Sequence, residues 1–500
     1  MQHALTAQNE TLRSEVYSIS LSGLVATLVT ITVTIAPGPA AFELIGVAES
    51  CARNMTGMVE HALGRAGVWL DDRRVEVRVS PVDRHDDGMQ LAIVTAVLSA
   101  MKQKSLPRTV VLGDIWPSGA LRAVRGVLPA LLGVDGMLEA IVPWNNGPEA
   151  ACLDDLDVRV AAYLDDIIDY LDGTRDLKLA RTCPKPRRID SSDMADITGL
   201  LAGLRAVEIA AAGLHPLVFV GSPGSGKTML SSRLPTVLPE MTRPEALEVT
   251  SIHSVAGHLE EGDQGPFIDR PFRMPHPQSG KKNLIGASAR PGEVSLAHLG
   301  VLFLDMIQTV PPQVLSALDR VLEAGQVVLS RGQESVTFPA CPLLVAGTFP
   351  CPCGFNGVED RECKCSSEQV RAYRQRQCGP VFDRLDIRAG MSGYTTRGPR
   401  SESSAMMRAR VVKAREPQRH RFERGEASEP VNGRLTVTDL ERVTAPDRGG
   451  RRALSQAGLS PVLESKVLRV ARTIADLDGS DAVRAPHVAE AIQLAPRPET

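Results

Sequence analysis

The sequence predicts an α/β protein of several domains, and three observations carry that prediction. Short β-branched apolar runs alternate with stretches of helical period, a glycine-rich turn joins one such run to a helix-like segment, and 500 residues exceed what a single core usually holds. A domain takes about 150 residues, so two to four are expected. Apolar residues at 43% and charged residues at 23% are the proportions of a soluble globular chain. Aromatics at 4% argue against a base-stacking surface, and 56 basic against 59 acidic side chains leave a net charge of -3. Any contact with nucleic acid would therefore rest on a local patch.

The first block covers residues 14–180. Val16 to Ala36 carries no charge over 21 residues, which is the length of a membrane span. Leu28 to Ile35 nevertheless alternates apolar with threonine, the period of a half-buried strand, so a β-ribbon turning near Gly23 is expected and no membrane partner. Glu10 and Glu15 precede the run and no clean cleavage site follows, which argues against a signal peptide. Val75–Val79 and Thr109–Leu112 read as strands, Leu91–Met101 and Val124–Leu132 as helices, and Leu153–Asp172 as an acidic helix. Arg181–Asp190, with two prolines among basic residues, reads as a linker.

The second block covers residues 190–395. Its strongest feature is Gly221-Ser222-Pro223-Gly224-Ser225-Gly226-Lys227-Thr228, a full match to the phosphate-binding pattern G-x-x-x-x-G-K-[ST]. Leu217–Val220 before it reads as a buried strand and Met229 onward as a helix, which is the context the pattern needs. Lys227 is expected to neutralise the β- and γ-phosphates of ATP, and Thr228 to hold Mg²⁺. Val301-Leu302-Phe303-Leu304-Asp305 is a second apolar strand ending in an acid, and Asp305 is expected beside the same Mg²⁺.

Nine cysteines are too few for a disulfide framework, and the chain reads as cytoplasmic. Four of them form two C-x-C pairs, Cys351/Cys353 and Cys363/Cys365. They read either as a tetrahedral thiolate set for Zn²⁺ or as reduced thiols that merely pack. The third block, residues 400–500, reads as helical at both ends, with a loose, charged middle from Glu416 to Arg452.

A series of ordered strings carries a resemblance. Val207–Gly213 (VEIAAAG), Glu245–Gly257 (EALEVTSIHSVAG), Arg270–His276 (RPFRMPH), Arg290–Asp305 (RPGEVSLAHLGVLFLD), Phe349–Gly354 (FPCPCG), Gly379–Ile387 (GPVFDRLDI) and Val467–Ser480 (VLRVARTIADLDGS) follow one another along the chain. Together they resemble the YifB/ComM family of magnesium-chelatase-like AAA+ ATPases. The resemblance implies an amino-terminal domain similar to ribosomal S5 domain 2 and the Lon protease, a central AAA+ domain and a carboxy-terminal helical lid. It also implies a homo-oligomeric ring with ATP at subunit interfaces, and in one branch a DNA branch-migration motor.

The chain departs from the family pattern at catalytic positions. The glutamate that activates water in the family is Met306 here, the sensor asparagine is Phe349, and the lid's sensor arginine is Val462, preceded by Pro461. Pro277 replaces the second histidine after His276. Arg384 matches the family's interface arginine and is a candidate finger acting in trans, or else a structural arginine paired with Asp383 or Asp386. These losses predict ATP binding with impaired hydrolysis, unless Glu293 or Glu323 supplies the missing carboxylate. A Lon-type peptidase is not expected, because no motif joins Lys102, Lys104 and Ser105. Lys281-Lys282 and the Arg371–Arg376 run are candidate DNA contacts in a ring pore, or solvated faces. The expected activity is a ring ATPase acting on DNA, against a nucleotide-gated scaffold with a paralogue or protein partner, or the ATPase subunit of a metal chelatase.

Overall fold

The computed structural model describes residues 11–70, 72–83, 88–181, 192–259, 266, 269–331, 334–357, 361–391 and 399–496. Residues 182–190 of the expected linker lie outside them, as does the end of the second block at 392–398. The chain is α/β and divides into two compact units. The first takes its described residues from 1–188, 246–267 and 330–337, the second from 189–245, 268–329 and 338–500.

The first unit is built on an eight-stranded mixed sheet of β1 (Leu12–Ser22), β2 (Val25–Pro37), β3 (Ala41–Val47), β4 (Arg73–Asp83), β5 (Thr109–Val111), β6 (Glu139–Pro143), β7 (Asp157–Ala161) and β8 (Lys178–Leu179), in the order β8-β7-β6-β5-β1-β2-β4-β3. The uncharged run is the β1/β2 hairpin, paired from Leu12 with Ile35 to Ser22 with Val25. Gly23, at φ +66°, lies in its turn. Val29, Ile31, Val33 and Ile35 are buried while the threonines between them are partly exposed. Each such side chain contributes about 1.5–3 kcal/mol, so a one-residue slip that exposed all four is strongly disfavoured. Helix α1 (Gln90–Lys102) is buried all round from Leu91 to Ala100 and packs on β1 and β2.

Leu153–Asp172 is not one helix. Its first half forms β7, in which Val158 and Val160 are buried, and only Leu164–Asp172 is helical. Asp166 separates the two by accepting from the backbone N–H of Ala162 at 2.9 Å and of Tyr163 at 3.0 Å, which restarts the chain as a helix.

The second unit is built on a five-stranded parallel sheet of β9 (Leu217–Gly221), β10 (Phe272–Arg273), β11 (Val301–Leu304), β12 (Leu343–Thr348) and β13 (Ile387–Met391), in the order β10-β11-β12-β9-β13. β9, β11 and β12 are buried throughout, as strands covered on both faces must be. The carboxy-terminal helices share its core: Val467, Val470, Ala471 and Ile474 of Pro461–Leu477 belong to the same cluster as Phe219 and Phe303.

The segment from Glu416 to Arg452 is not loose. It contains the end of Ser404–Glu423 and the helices Val437–Val443 and Arg448–Ala457. Polar contacts order it: Asp439 accepts from Thr436 Oγ1 at 2.7 Å and Ser428 Oγ at 2.5 Å, and Gln418 accepts from the Asn432 N–H at 2.9 Å. Hydrophobic periodicity does not register bonds of this kind. Among the described residues no helix is long and apolar enough to cross a membrane.

Candidate nucleotide site

The phosphate-binding loop leaves the carboxyl end of β9, which lies between β12 and β13 in the sheet. A helix, Lys227–Arg233, begins directly after it. Gly226 joins loop to helix at φ +89°, and a Cβ there would stand 2.7 Å from Leu200 Cδ1, so both backbone and space demand glycine. Ser222 and Ser225 are buried, whereas Pro223, Gly224 and Thr228 are exposed. Thr228 is thus solvent-accessible on the first turn of the helix.

Lys227 is turned back on its own loop. Its Nζ donates to the carbonyls of Gly221 and Ser222 at 2.9 Å each, with Ser225 Oγ at 3.4 Å. Burial lowers its pKa, and the negative charge of Asp305 opposes that shift. Above it lies the ring of Phe349, whose centroid is 4.7 Å from Nζ. Phe349 follows β12 directly, and its ring contacts the loop lysine itself.

Asp305 follows β11, and its Oδ1 accepts from the Met306 N–H at 2.9 Å. A Cβ at Gly347 would come within 2.6 Å of that oxygen, so the neighbouring strand leaves room for the carboxylate. Met306 adopts φ +47°, a conformation that L-residues other than Gly and Asn adopt at a cost. Behind these residues runs a polar relay that sequence reasoning missed. Thr348 Oγ1 donates to Gln308 Oε1 at 2.8 Å, while Gln377 Nε2 donates to Thr348 Oγ1 at 3.1 Å and to the Phe349 carbonyl at 3.2 Å. Nothing in the spacing of Gln308 or Gln377 signals it.

Neither candidate substitute acid is free. Glu293 is held by Nε and Nη2 of Arg273, at 2.7 and 2.9 Å, and Glu323 pairs with Arg384 at 3.3 Å. Arg384 also pairs with Asp319, so its partners lie on the helix Pro312–Ala324 and not at Asp383 or Asp386. Arg384 and Val462 line one cavity of about 530 Å³, together with Pro216, Leu343 and Asp386. Those three residues stand at the starts of parallel strands, so the cavity lies at the opposite edge of the sheet from the loop after β9. Within one chain, Arg384 and Val462 therefore do not reach the phosphate cradle.

The four clustered cysteines come together, their Sγ atoms lying within 4.8 Å of one another. Lys281 and Lys282 are exposed at the start of a short helix whose Leu284 and Ile285 are buried, Arg371 is exposed in the middle of Ser367–Gln375, and Arg376 is exposed just past its end. Lys102 pairs with Asp172.

The arrangement of P-loop, acid-tipped strand and intervening strand can be compared with known proteins. Residues 193–397 match the family model for magnesium chelatase, subunit ChlI, residues 401–495 its carboxy-terminal model, and residues 31–146 a further ChlI model. Competence protein ComM of Haemophilus influenzae is 35% identical over 500 residues, covering 95% of this chain and 96% of that protein. The chain belongs to the magnesium-chelatase-like YifB/ComM family. The protein named YifB of Escherichia coli K12 is 32% identical, with 96% of each chain covered. An uncharacterized protein of Mycobacterium tuberculosis H37Rv is 36% identical over 96% of this chain and 97% of its own. An ATP-binding AAA+ character follows from membership of the YifB/ComM family, and Gly221–Thr228 with Asp305 fit ATP·Mg²⁺ by donor chemistry, with Gly347 leaving room for the Asp305 carboxylate.

Proposed function

We propose that this chain binds ATP·Mg²⁺ and hydrolyses it slowly, assembling in the cytoplasm as a ring that engages DNA. The observation that carries the reading is Lys227 beneath Phe349, with Met306, which cannot accept a proton, directly after Asp305. Lys227, Thr228 and the backbone of Gly221–Gly226 would hold the phosphates and metal, and Asp305 would hold the metal's water shell. Mg²⁺ neutralises charge on the transferring phosphoryl group when bound. The chain's own shortfall lies in water activation, which a positioned base accelerates by about 10²- to 10⁴-fold.

A second reading is favoured by Arg384, which is tied to Asp319 and Glu323 of its own chain. In that reading ATP gates assembly of a scaffold, or of a complex with a paralogue or protein partner, and turnover is negligible. Service as the ATPase subunit of a metal chelatase has no feature of its own to support it beyond the family. Steady-state phosphate release by the purified chain, with and without single- and double-stranded DNA, separates these. Slow release stimulated by DNA supports the motor, and ATP-dependent assembly without release supports the scaffold. Turnover of an ordinary AAA+ motor, abolished by Lys227→Ala and unchanged by Met306→Glu, would overturn the impaired-hydrolysis reading.

A further inference from the structure

The four cysteines lie on the loop that follows β12, immediately after Phe349. Cys351 Sγ stands 3.3 Å from Cys353 Sγ and 3.7 Å from Cys363 Sγ, and the latter two are 3.6 Å apart. Cys365 completes the group within 4.8 Å. A tetrahedral zinc site with Zn–S bonds of about 2.3 Å places its sulfurs about 3.8 Å from one another. A disulfide would need about 2.05 Å, far shorter than any of these separations.

The backbone is shaped to the same end. The Asn356 N–H donates to Cys351 Sγ at 3.3 Å, and a sulfur that accepts such a bond is stabilised as thiolate. The Arg361 guanidinium lies 4.2 Å from the centroid of the Phe355 ring, closing the turn between the two C-x-C pairs. Cys351 is fully buried and the other three partly so, and four protein ligands on one ion leave no position for a reacting water. An all-sulfur set excludes Mg²⁺ and Ca²⁺ and selects a soft or borderline ion.

The loop also touches the nucleotide site. Gly354, one residue past Cys353, approaches the P-loop so closely that a Cβ there would stand 2.7 Å from Pro223 Cδ. We propose that Cys351, Cys353, Cys363 and Cys365 bind one zinc ion, and that this knuckle braces Gly354 against Pro223. Zinc then has a structural role: the four thiols release their protons to water and bind one cation as thiolates, and the site pre-forms one wall of the phosphate cradle. Without the metal the loop loses its only four-point anchor among the described residues, and ATP must order it on binding. The metal part stands on the cysteine geometry alone, whereas the nucleotide part rests on the reading that this chain binds ATP.

The test begins with the full chain purified without chelator and analysed for metals by mass spectrometry. About one zinc per chain is expected, lost in Cys353→Ser/Cys363→Ser, and release of that zinc by a mercurial from the native chain gives the same count should the variant not fold. Zinc below about a tenth of an equivalent, or iron in its place, would overturn the site. A fluorescent ATP analogue is then titrated against native, metal-stripped and zinc-reloaded protein. Stripping should weaken binding about tenfold or more and reloading restore it. Equal affinity in all three states would overturn the bracing role, and absence of binding by native zinc-loaded protein would overturn the ATP-binding reading while leaving the zinc site intact.

Discussion

Lys227 and Phe349 form a cation–π pair, with the ammonium 4.7 Å from the ring centroid and its protons directed to the carbonyls of Gly221 and Ser222. To reach a phosphate, the lysine must give up some of these contacts. A cation–π contact contributes about 0.5–2 kcal/mol, which is the cost that Phe349 adds to nucleotide binding. Phe349→Ala should therefore tighten binding of an ATP analogue, by about two- to thirtyfold. Titration of both proteins at equal zinc content checks this, and weaker binding by the variant would show that the ring serves the nucleotide.

Arg384 raises a different expectation because it lies at the opposite edge of the sheet from the cradle. An arginine that serves a neighbour's nucleotide affects turnover in the assembly and leaves binding by the isolated chain alone. Arg384→Ala should keep the ATP-analogue affinity of dilute protein within about twofold while lowering phosphate release by about 10²-fold or more at assembling concentrations. Equal loss in dilute and concentrated protein would assign Arg384 to holding the helix Pro312–Ala324 through Asp319.

The legible parts of this molecule are those whose chemistry is local in sequence. Gly221–Thr228 and Asp305 are found by spacing because a strand, a turn and a helix start must follow one another for a phosphate to be cradled. The β1/β2 hairpin is legible because the threonines between Val29 and Ile35 betray its period. By contrast, the partners of Arg384 could not be read, since the acids beside it in sequence, Asp383 and Asp386, are not those beside it in space. The Asp386 carboxylate instead accepts from His215 Nδ1, at 3.0 Å, in the buried core. The segment from Glu416 to Arg452 was illegible for a related reason, since Asn432, Asp439 and Gln418 order it through bonds between distant polar groups. Strand β7 was hidden by the acids around it, because Val158 and Val160 make too short an alternation to outweigh them.

Asp476 concentrates the carboxy-terminal helices' polar contacts at one carboxylate. It accepts from Arg421 at 3.0 and 2.6 Å, from Arg472 at 3.2 and 2.9 Å and from Asn432 Nδ2 at 2.8 Å, and it is buried. Arg472 already has its pKa lowered by burial, with Asp476 opposing that shift and the Arg421 charge adding to it. Asp476→Ala would leave two guanidiniums close together without their counter-ion. Loss of one partner from a buried pair costs about 3–5 kcal/mol, and urea unfolding should register a loss of that order. A loss below about 1 kcal/mol would mean that water reaches the arginines when the carboxylate is gone.

Glu149 provides a pH-dependent test in the first unit. It is buried, accepts from Ser254 Oγ at 2.6 Å and from Asn146 Nδ2 at 2.7 Å, and has its pKa raised by burial against the opposing effect of these bonds. Because the folded value lies above the ordinary glutamate value, the native state holds the proton more tightly than the unfolded chain does. The stability this contributes is complete below the ordinary value and is lost as pH rises through the raised one. Glu149→Gln imitates the protonated acid, since its oxygen can accept from Asn146 and its amide can donate to Ser254 Oγ, whose own proton turns away. The variant should match the native protein at acid pH and exceed it in melting temperature at neutral pH, with a flatter dependence between. A parallel pH dependence in the two proteins would show that water solvates the Glu149 carboxylate in the folded chain.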